Sequence, residues 1–442
     1  MTTGAGRPPE EARHAGLSSL EGQPGQHDLS DNPRAARGSD WQGVIALARD
    51  ATTGMTDLVE AMHRQIARPL ASRLGTGEVA RTGGITGLVY GSVRGVTRLV
   101  GAGAGALAGA ASALAPRRPG MAPSAEREAI VAALNGVLGD RLAEQANPLA
   151  ITMAFRSRGR VLRLAPASLA AALGDVGPKP LVLVHGLCMN DRQWSREGHD
   201  HGTALARALG YTPVYLPYNS GRHISSNGRD FAALMEALIQ HWPVPLEELC
   251  LLTHSMGGLV ARSALKHGAD AGMAWVPRLD RLAFLGTPHH GAPLERGGHC
   301  VDLLLGVSKF SAPLARLGQL RSAGITDLRH GNVQDADWAG RDRFATGAHS
   351  GDARQPLPLP ASVACYAVAA HAGLRAADLR SRVLGDGLVP LASALGQHAD
   401  SRHALAFEPQ RQMVAEGVNH LQLLSDARVC AQLRDWFAAP AH

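Results

Sequence analysis

From residue 180 onward the hydrophobic pattern switches between two periods. Six apolar runs read as strands: Leu181–Val184, Pro213–Leu216, Leu249–Leu252, Arg281–Leu285, Val363–Ala369 and one near Gln412–Ala415. Between them, residues 200–209, 229–241 and 258–267 carry helical spacing. Strands separated by helices predict βαβ crossovers, hence an α/β fold with a mainly parallel central sheet. Upstream, Glu126–Gln145 places Ile130, Leu134, Leu138 and Leu142 on one helical side, and Asn147-Pro148 ends it. Ile151–Phe155 and Val161–Leu164 flank a basic turn and suit a hairpin. The α/β domain is therefore set at 121–442.

Residues 292–360 interrupt this alternation. Val301–Val307, Pro313–Leu320 and Ile325–Leu328 read as short apolar helical pieces. This stretch is expected to be a lid-like insertion, with a purely structural excursion as the competing reading.

The first 120 residues follow other rules. Residues 1–39 are rich in Gly, Pro, Ser, Asp and Arg with few large apolar groups, and are expected to be disordered. Residues 40–120 form a Gly/Ala-rich extension with helical periodicity, for instance Leu58, Val59, Met62 and Ile66. Within 79–115 no acidic residue occurs, and Gly87, Gly91 and Gly95 lie four apart, as do Gly101, Gly105 and Gly109. Such rows let helices touch closely. A helical hairpin packed on the rest of the chain or on a second subunit, a peripheral membrane contact, and a spanning helix all remain open for 79–115.

Composition narrows the classes. The chain has 442 residues and a formal net charge of +6, spread out with no dense basic block or aromatic interleaving, so nucleic acid is not an expected partner. Five scattered cysteines form no CxxC, which argues against a disulfide framework or a zinc site. The N-terminus lacks the apolar core of a signal peptide, so the expected address is cytoplasmic, with membrane association open.

The chemistry gathers at strand ends. Leu249–Leu259 reads as a strand, a tight turn holding Ser255, and a helix, which is the pattern of a nucleophile elbow. Gly257 would let strand and helix approach closely. Position 253 is Thr where the usual pattern has Gly. The Leu181–Val184 strand runs into His185-Gly186, and the N–H groups of Leu187 and Met256 make the natural oxyanion pair. Tyr218 and His223 lie in a loop after the next strand, where they would line a substrate pocket or simply face solvent. His289-His290 ends another strand, but adjacent loop residues rarely both ligate a metal. Asp386, flanked by Gly385 and Gly387, and His420, just after the last strand, complete a Ser–Asp–His order. Rival acids are Asp280 and Asp400; rival bases are His254, His398 and His403. His254 adjoins Ser255, but neighbours on a strand point oppositely.

The stretches His185-Gly186, His254–Gly258, Gly286-Thr287-Pro288-His289, Asp386–Pro390 and Asn419-His420 resemble the bacterial lipase/esterase branch of the α/β-hydrolases. More narrowly, they are similar to GPI inositol-deacylase-like lipases. The resemblance covers about 150–437. It implies a serine hydrolase acting on carboxylic esters, of lipid or other hydrophobic acyl type, with no cofactor. Ser255 would be the nucleophile, Asp386 and His420 its triad partners, and Leu187 and Met256 the oxyanion donors. His185, Gly186, Tyr218, His254 and His289 would lie around the substrate. A transacylase or polyester-acting enzyme with the same triad, and a membrane-docked scaffold with a vestigial one, are the alternatives. Oligomeric state stays open.

Overall fold

The computed structural model describes residues 125–292, 322–341, 352–373 and 385–440. Among them, helix α1 spans Ala125–Glu144, followed by β1 (Arg156–Ser157), β2 (Arg160–Val161), α2 (Pro166–Leu173) and β3 (Pro180–Val184). Next come α3 (His201–Leu209), β4 (Thr212–Leu216), α4 (Ile224–Gln240), β5 (Leu249–His254), α5 (Met256–Asp270) and β6 (Leu279–Leu285). The remaining elements are α6 (Ala323–His330), α7 (Asp335–Trp338), β7 (Ala364–His371), α8 (Leu391–Ala394), β8 (Gln412–Glu416) and α9 (Ala427–Ala438).

These strands form one sheet in the order β2-β1-β4-β3-β5-β6-β7-β8. Only β1 pairs antiparallel, with β2 and β4; every neighbour from β4 to β8 is parallel. The α/β class and all six strands expected beyond residue 180 are present. The hairpin differs from expectation. Its paired residues are Arg156↔Val161 and Ser157↔Arg160, the polar centre of the segment rather than its apolar flanks. The charged residue is anchored there, because Arg156 pairs with Glu128 at 3.2 Å and Asp191 at 3.1 Å.

The sheet is covered on both faces. Val182, Val184, Leu249 and Leu251 join one core with α1, α4 and α5. Leu181, Leu183, Cys250 and Leu252 join the other with Leu205 of α3 and Val429 and Leu433 of α9. A strand buried on both sides must be apolar at every position, so these segments read as continuous hydrophobic runs. Burial at roughly 25 cal/mol per Å² makes these two layers the main stabilising term.

Helix α1 belongs to this body. Its buried Asn135 donates Nδ2–H to the Leu149 carbonyl at 2.7 Å, while its Oδ1 accepts from Ile151 N–H at 2.8 Å. Asn219 Nδ2 donates to the Gly139 carbonyl at 2.8 Å.

The described part of 292–360 packs against α1, α4 and the main core. Ser322 Oγ donates to the Gly136 carbonyl at 2.7 Å, and Ile325 and Leu328 sit in the core. The fully buried Asp327 accepts from Ile224 N–H at 2.9 Å and pairs with His223 Nδ1 at 2.9 Å. The expected pieces Val301–Val307 and Pro313–Leu320, the disordered 1–39 and the extension 40–120 with its 79–115 segment lie outside the described residues. Among the described residues, no helix is long and apolar enough to cross a membrane.

Candidate active site

Parallel strands deliver their C-terminal ends to one edge of the sheet, and the sharpest turn there is at Ser255. Its φ of 53° and ψ of −125° are unusual for a residue with a Cβ. Neighbours on both sides hold it. Ser255 N–H donates to the Leu285 carbonyl at 2.8 Å, tying the elbow to β6. A Cβ on Gly257 would stand 2.4 Å from the Val184 carbonyl oxygen, so only glycine lets α5 start this close to β3. Thr253, where glycine is more usual, is fully buried and spends its hydroxyl on the Ala283 carbonyl at 3.0 Å.

His420 follows β8 and is fully buried. Its Nδ1 lies 2.6 Å from Asp386 Oδ2. The second oxygen, Asp386 Oδ1, accepts the N–H groups of Leu388 at 2.9 Å and Val389 at 2.8 Å. Three donors thus converge on one buried side chain, and because a carboxylate oxygen accepts, the proton between the two groups is carried on His420 Nδ1. Nε2 of His420 is left as the lone-pair nitrogen, buried and without a hydrogen-bond partner among the described residues.

Two measurements tie this pair to the elbow. The ring of His420 packs over Gly286, where an added Cβ would be 3.0 Å from its Cε1, and Gly286 directly follows the Leu285 that accepts from Ser255. The neighbour of the serine, His254, reaches the other way and meets the His420 carbonyl through Nε2 at 3.1 Å. Burial, and then the His420 ring 4.8 Å away, hold the His254 imidazole well below its ordinary pKa. It is a neutral donor bracing the backbone of His420.

The β3 end lies beside the serine. A Cβ on Gly186 would be 3.0 Å from Ser255 Cβ. The N–H groups of Leu187 and Met256 make no hydrogen bond to protein acceptors among the described residues. His185 is buried, with Nδ1 2.8 Å from the Gly186 carbonyl, and burial lowers its pKa to about 4. Tyr218 stacks on it at 4.4 Å and donates its hydroxyl to the His185 carbonyl at 2.8 Å. Tyr218 is fully buried and braces this turn.

His289 lies on the loop that follows β6. It is fully buried between Phe284 at 4.7 Å and Phe407 at 5.5 Å, with both ring nitrogens unpartnered. It faces a small cavity bounded by Arg262, Arg354 and His403. Burial, and then the neighbouring Arg262, hold its pKa well below the ordinary value. The rival groups have other duties. Asp280 accepts Leu249 N–H at the opposite sheet edge, and Asp400 binds the exposed Arg402. His398 and His403 gather round Asp352 at 3.3 and 3.8 Å. A groove of about 400 Å³ runs past Ile151, Asn219, Arg222 and Asp230, but no Ser, His or Cys lines it.

The two amide donors on Asp386 were not foreseen, although Asp-Gly invites such a turn. The bond from His254 to the His420 carbonyl leaves no trace in sequence.

Residues 175–350 match the family model of the PGAP1-like alpha/beta domain, less than half of the chain. None of the curated proteins matches it. Among solved structures, the mature Bacillus licheniformis lipase BlEst2 is similar at 18% identity over 59% of this chain and 90% of that one, with a TM-score of 0.35. Aspergillus fumigatus lipase B is similar at 14% identity over 64% of this chain and 59% of that one, also at 0.35. Sheet order, the elbow at Ser255 and the match over 175–350 make this chain a member of the alpha/beta-hydrolase superfamily.

Proposed function

We propose that the protein is a serine hydrolase cleaving carboxylic esters with hydrophobic acyl groups. The observation that carries this reading is the buried 2.6 Å contact of Asp386 with His420 at the same sheet edge as the strained Ser255. In this mechanism Ser255 Oγ attacks the ester carbonyl while His420 Nε2 takes its proton. The tetrahedral oxyanion is met by the N–H groups of Leu187 and Met256, each contributing about 3 kcal/mol of barrier lowering. His420 then returns the proton to the departing alkoxide, leaving an acyl-enzyme on Ser255. Water, deprotonated by the same nitrogen, releases the acid. Asp386 stabilises the imidazolium in both halves.

The apolar character of the acyl side rests on the buried Leu187, Met189 and Met256 around the elbow. The test is a fluorophosphonate probe on the full chain, together with p-nitrophenyl esters of increasing length. Wild type should react and favour longer acyl chains, and Ser255→Ala should do neither. Labelling that persists in Ser255→Ala sinks this nucleophile.

A further inference from the structure

A second cluster lies beside the one already described. His199 and His201 precede and open α3, and Cys430 lies in the first half of α9. One ligand atom from each falls within 4.8 Å of the other two. Nε2 of His199 is 2.8 Å from Nδ1 of His201. On its far side, the fully buried His201 directs Nε2 at the Leu423 carbonyl, also at 2.8 Å. A carbonyl can only accept, so the proton of neutral His201 is on Nε2. Its Nδ1 is therefore a lone pair facing His199. A backbone acceptor that fixes the tautomer from behind is the usual support of a metal-bound imidazole.

We propose that His199, His201 and Cys430 bind a divalent cation of the zinc class. The ion would join the segment after β3 to α9. Tetrahedral zinc with nitrogen and thiolate ligands has ligand–ligand edges of about 3.3–3.6 Å. The histidine pair must open by roughly half an ångström to meet that, and Cys430 must close by up to about 1.2 Å. Cys430 is only half-buried, so its thiol has room to turn. The proton balance is simple. His199 moves its proton from Nε2 to Nδ1, Cys430 releases one proton, and the cation takes the place of the shared proton between the rings. Asp200 and Asp426 add negative charge nearby, but both cap helices: Asp200 accepts from Thr203 N–H at 2.7 Å, and Asp426 from Arg428 N–H at 2.8 Å. They are not needed as ligands, so the fourth position is open to water. The site has a structural consequence. Leu423 stands three residues beyond His420, and its Cδ1 would lie 2.9 Å from a Cβ added at Gly286, so the cation would stiffen the loop that carries His420.

The experiment uses the full chain, stripped with chelator and titrated with Co²⁺. Wild type should gain visible d–d absorption and a near-ultraviolet thiolate-to-cobalt band, and Zn²⁺ should displace both while raising the melting temperature. Cys430→Ser should lose the thiolate band, and His199→Asn should lose both signals. Each variant should melt like stripped wild type in the absence of metal. Absence of the thiolate band in wild type, or its survival in Cys430→Ser, overturns the proposal. The readout is independent of ester hydrolysis.

Discussion

Asp386 holds His420 through one oxygen and is itself held through the other. Oδ2 takes the imidazole Nδ1 at 2.6 Å while Oδ1 takes two backbone N–H groups. The proposed acid is thereby locked in orientation before any substrate arrives. In Asp386→Asn the amide oxygen would keep the backbone donors, and the NH₂ would face Nδ1. His420 would then carry its proton on Nε2, the wrong nitrogen for a base. Turnover on a p-nitrophenyl ester should fall by about 10⁴ with the far-ultraviolet circular dichroism unchanged. Near-normal turnover would remove Asp386 from the mechanism.

Tyr218→Phe deletes one hydroxyl and leaves the His185 carbonyl without its donor. The cost in stability should be about 1–3 kcal/mol, read from urea unfolding. The loosened turn carries the Leu187 N–H, so kcat should drop several-fold with KM little changed. A raised KM at full kcat would instead make Tyr218 a substrate contact.

Gly286→Ala tests the floor beneath the imidazole. Gly286 has a φ of 59°, which costs a residue with a Cβ roughly 1–2 kcal/mol, and the new methyl would press on the His420 ring at 3.0 Å. The variant should fold with a lowered melting temperature and label slowly with fluorophosphonate. Labelling at the wild-type rate would mean that the ring is free to shift.

Acid should unfold this protein early. Burial lowers the pKa of His185 and of His201 to about 4, and holds His254 and His289 well below the ordinary value. In the unfolded chain each titrates near 6.5. The folded value is the lower one, so below about pH 6.5 the unfolded chain binds more protons and stability falls with pH. The contribution is whole above about 6.5 and is lost on the way down toward about 4, on the order of 3 kcal/mol for a group such as His185. Urea midpoints at pH 7.5, 6 and 5 should decline steeply. A flat profile would mean that these rings are hydrated or already charged in the native state.

The strands were legible because a parallel sheet covered on both faces demands unbroken apolar runs, as at Leu181–Val184 and Leu249–Leu252. The elbow was legible because strand, Ser255 and small residues fall together within one short window. Asp386 and His420 were readable only as chain order; that they meet at 2.6 Å is a property of the folded sheet. What stayed hidden were partners chosen in three dimensions. Tyr218 could be read as facing a pocket or solvent, and nothing in its neighbours announces the His185 carbonyl it meets. The hairpin strands formed on Arg156 because of Glu128 and Asp191, distant acids that local periodicity does not register. The metal-capable trio was missed because Cys430 lies more than two hundred residues from His199 and matches no short-range zinc spacing.

Asn135 and Asn219 stitch α1 to the loops that follow β4 and precede β1. A shortened version beginning after Glu144, as the onset of the strands near 150 would suggest, loses that whole seam. It bares the flank of α6 that packs on α1 and strands the Leu149 carbonyl and the Ile151 amide without their Asn135 partner. Anyone trimming this protein for crystals or for engineering should cut ahead of Ala125.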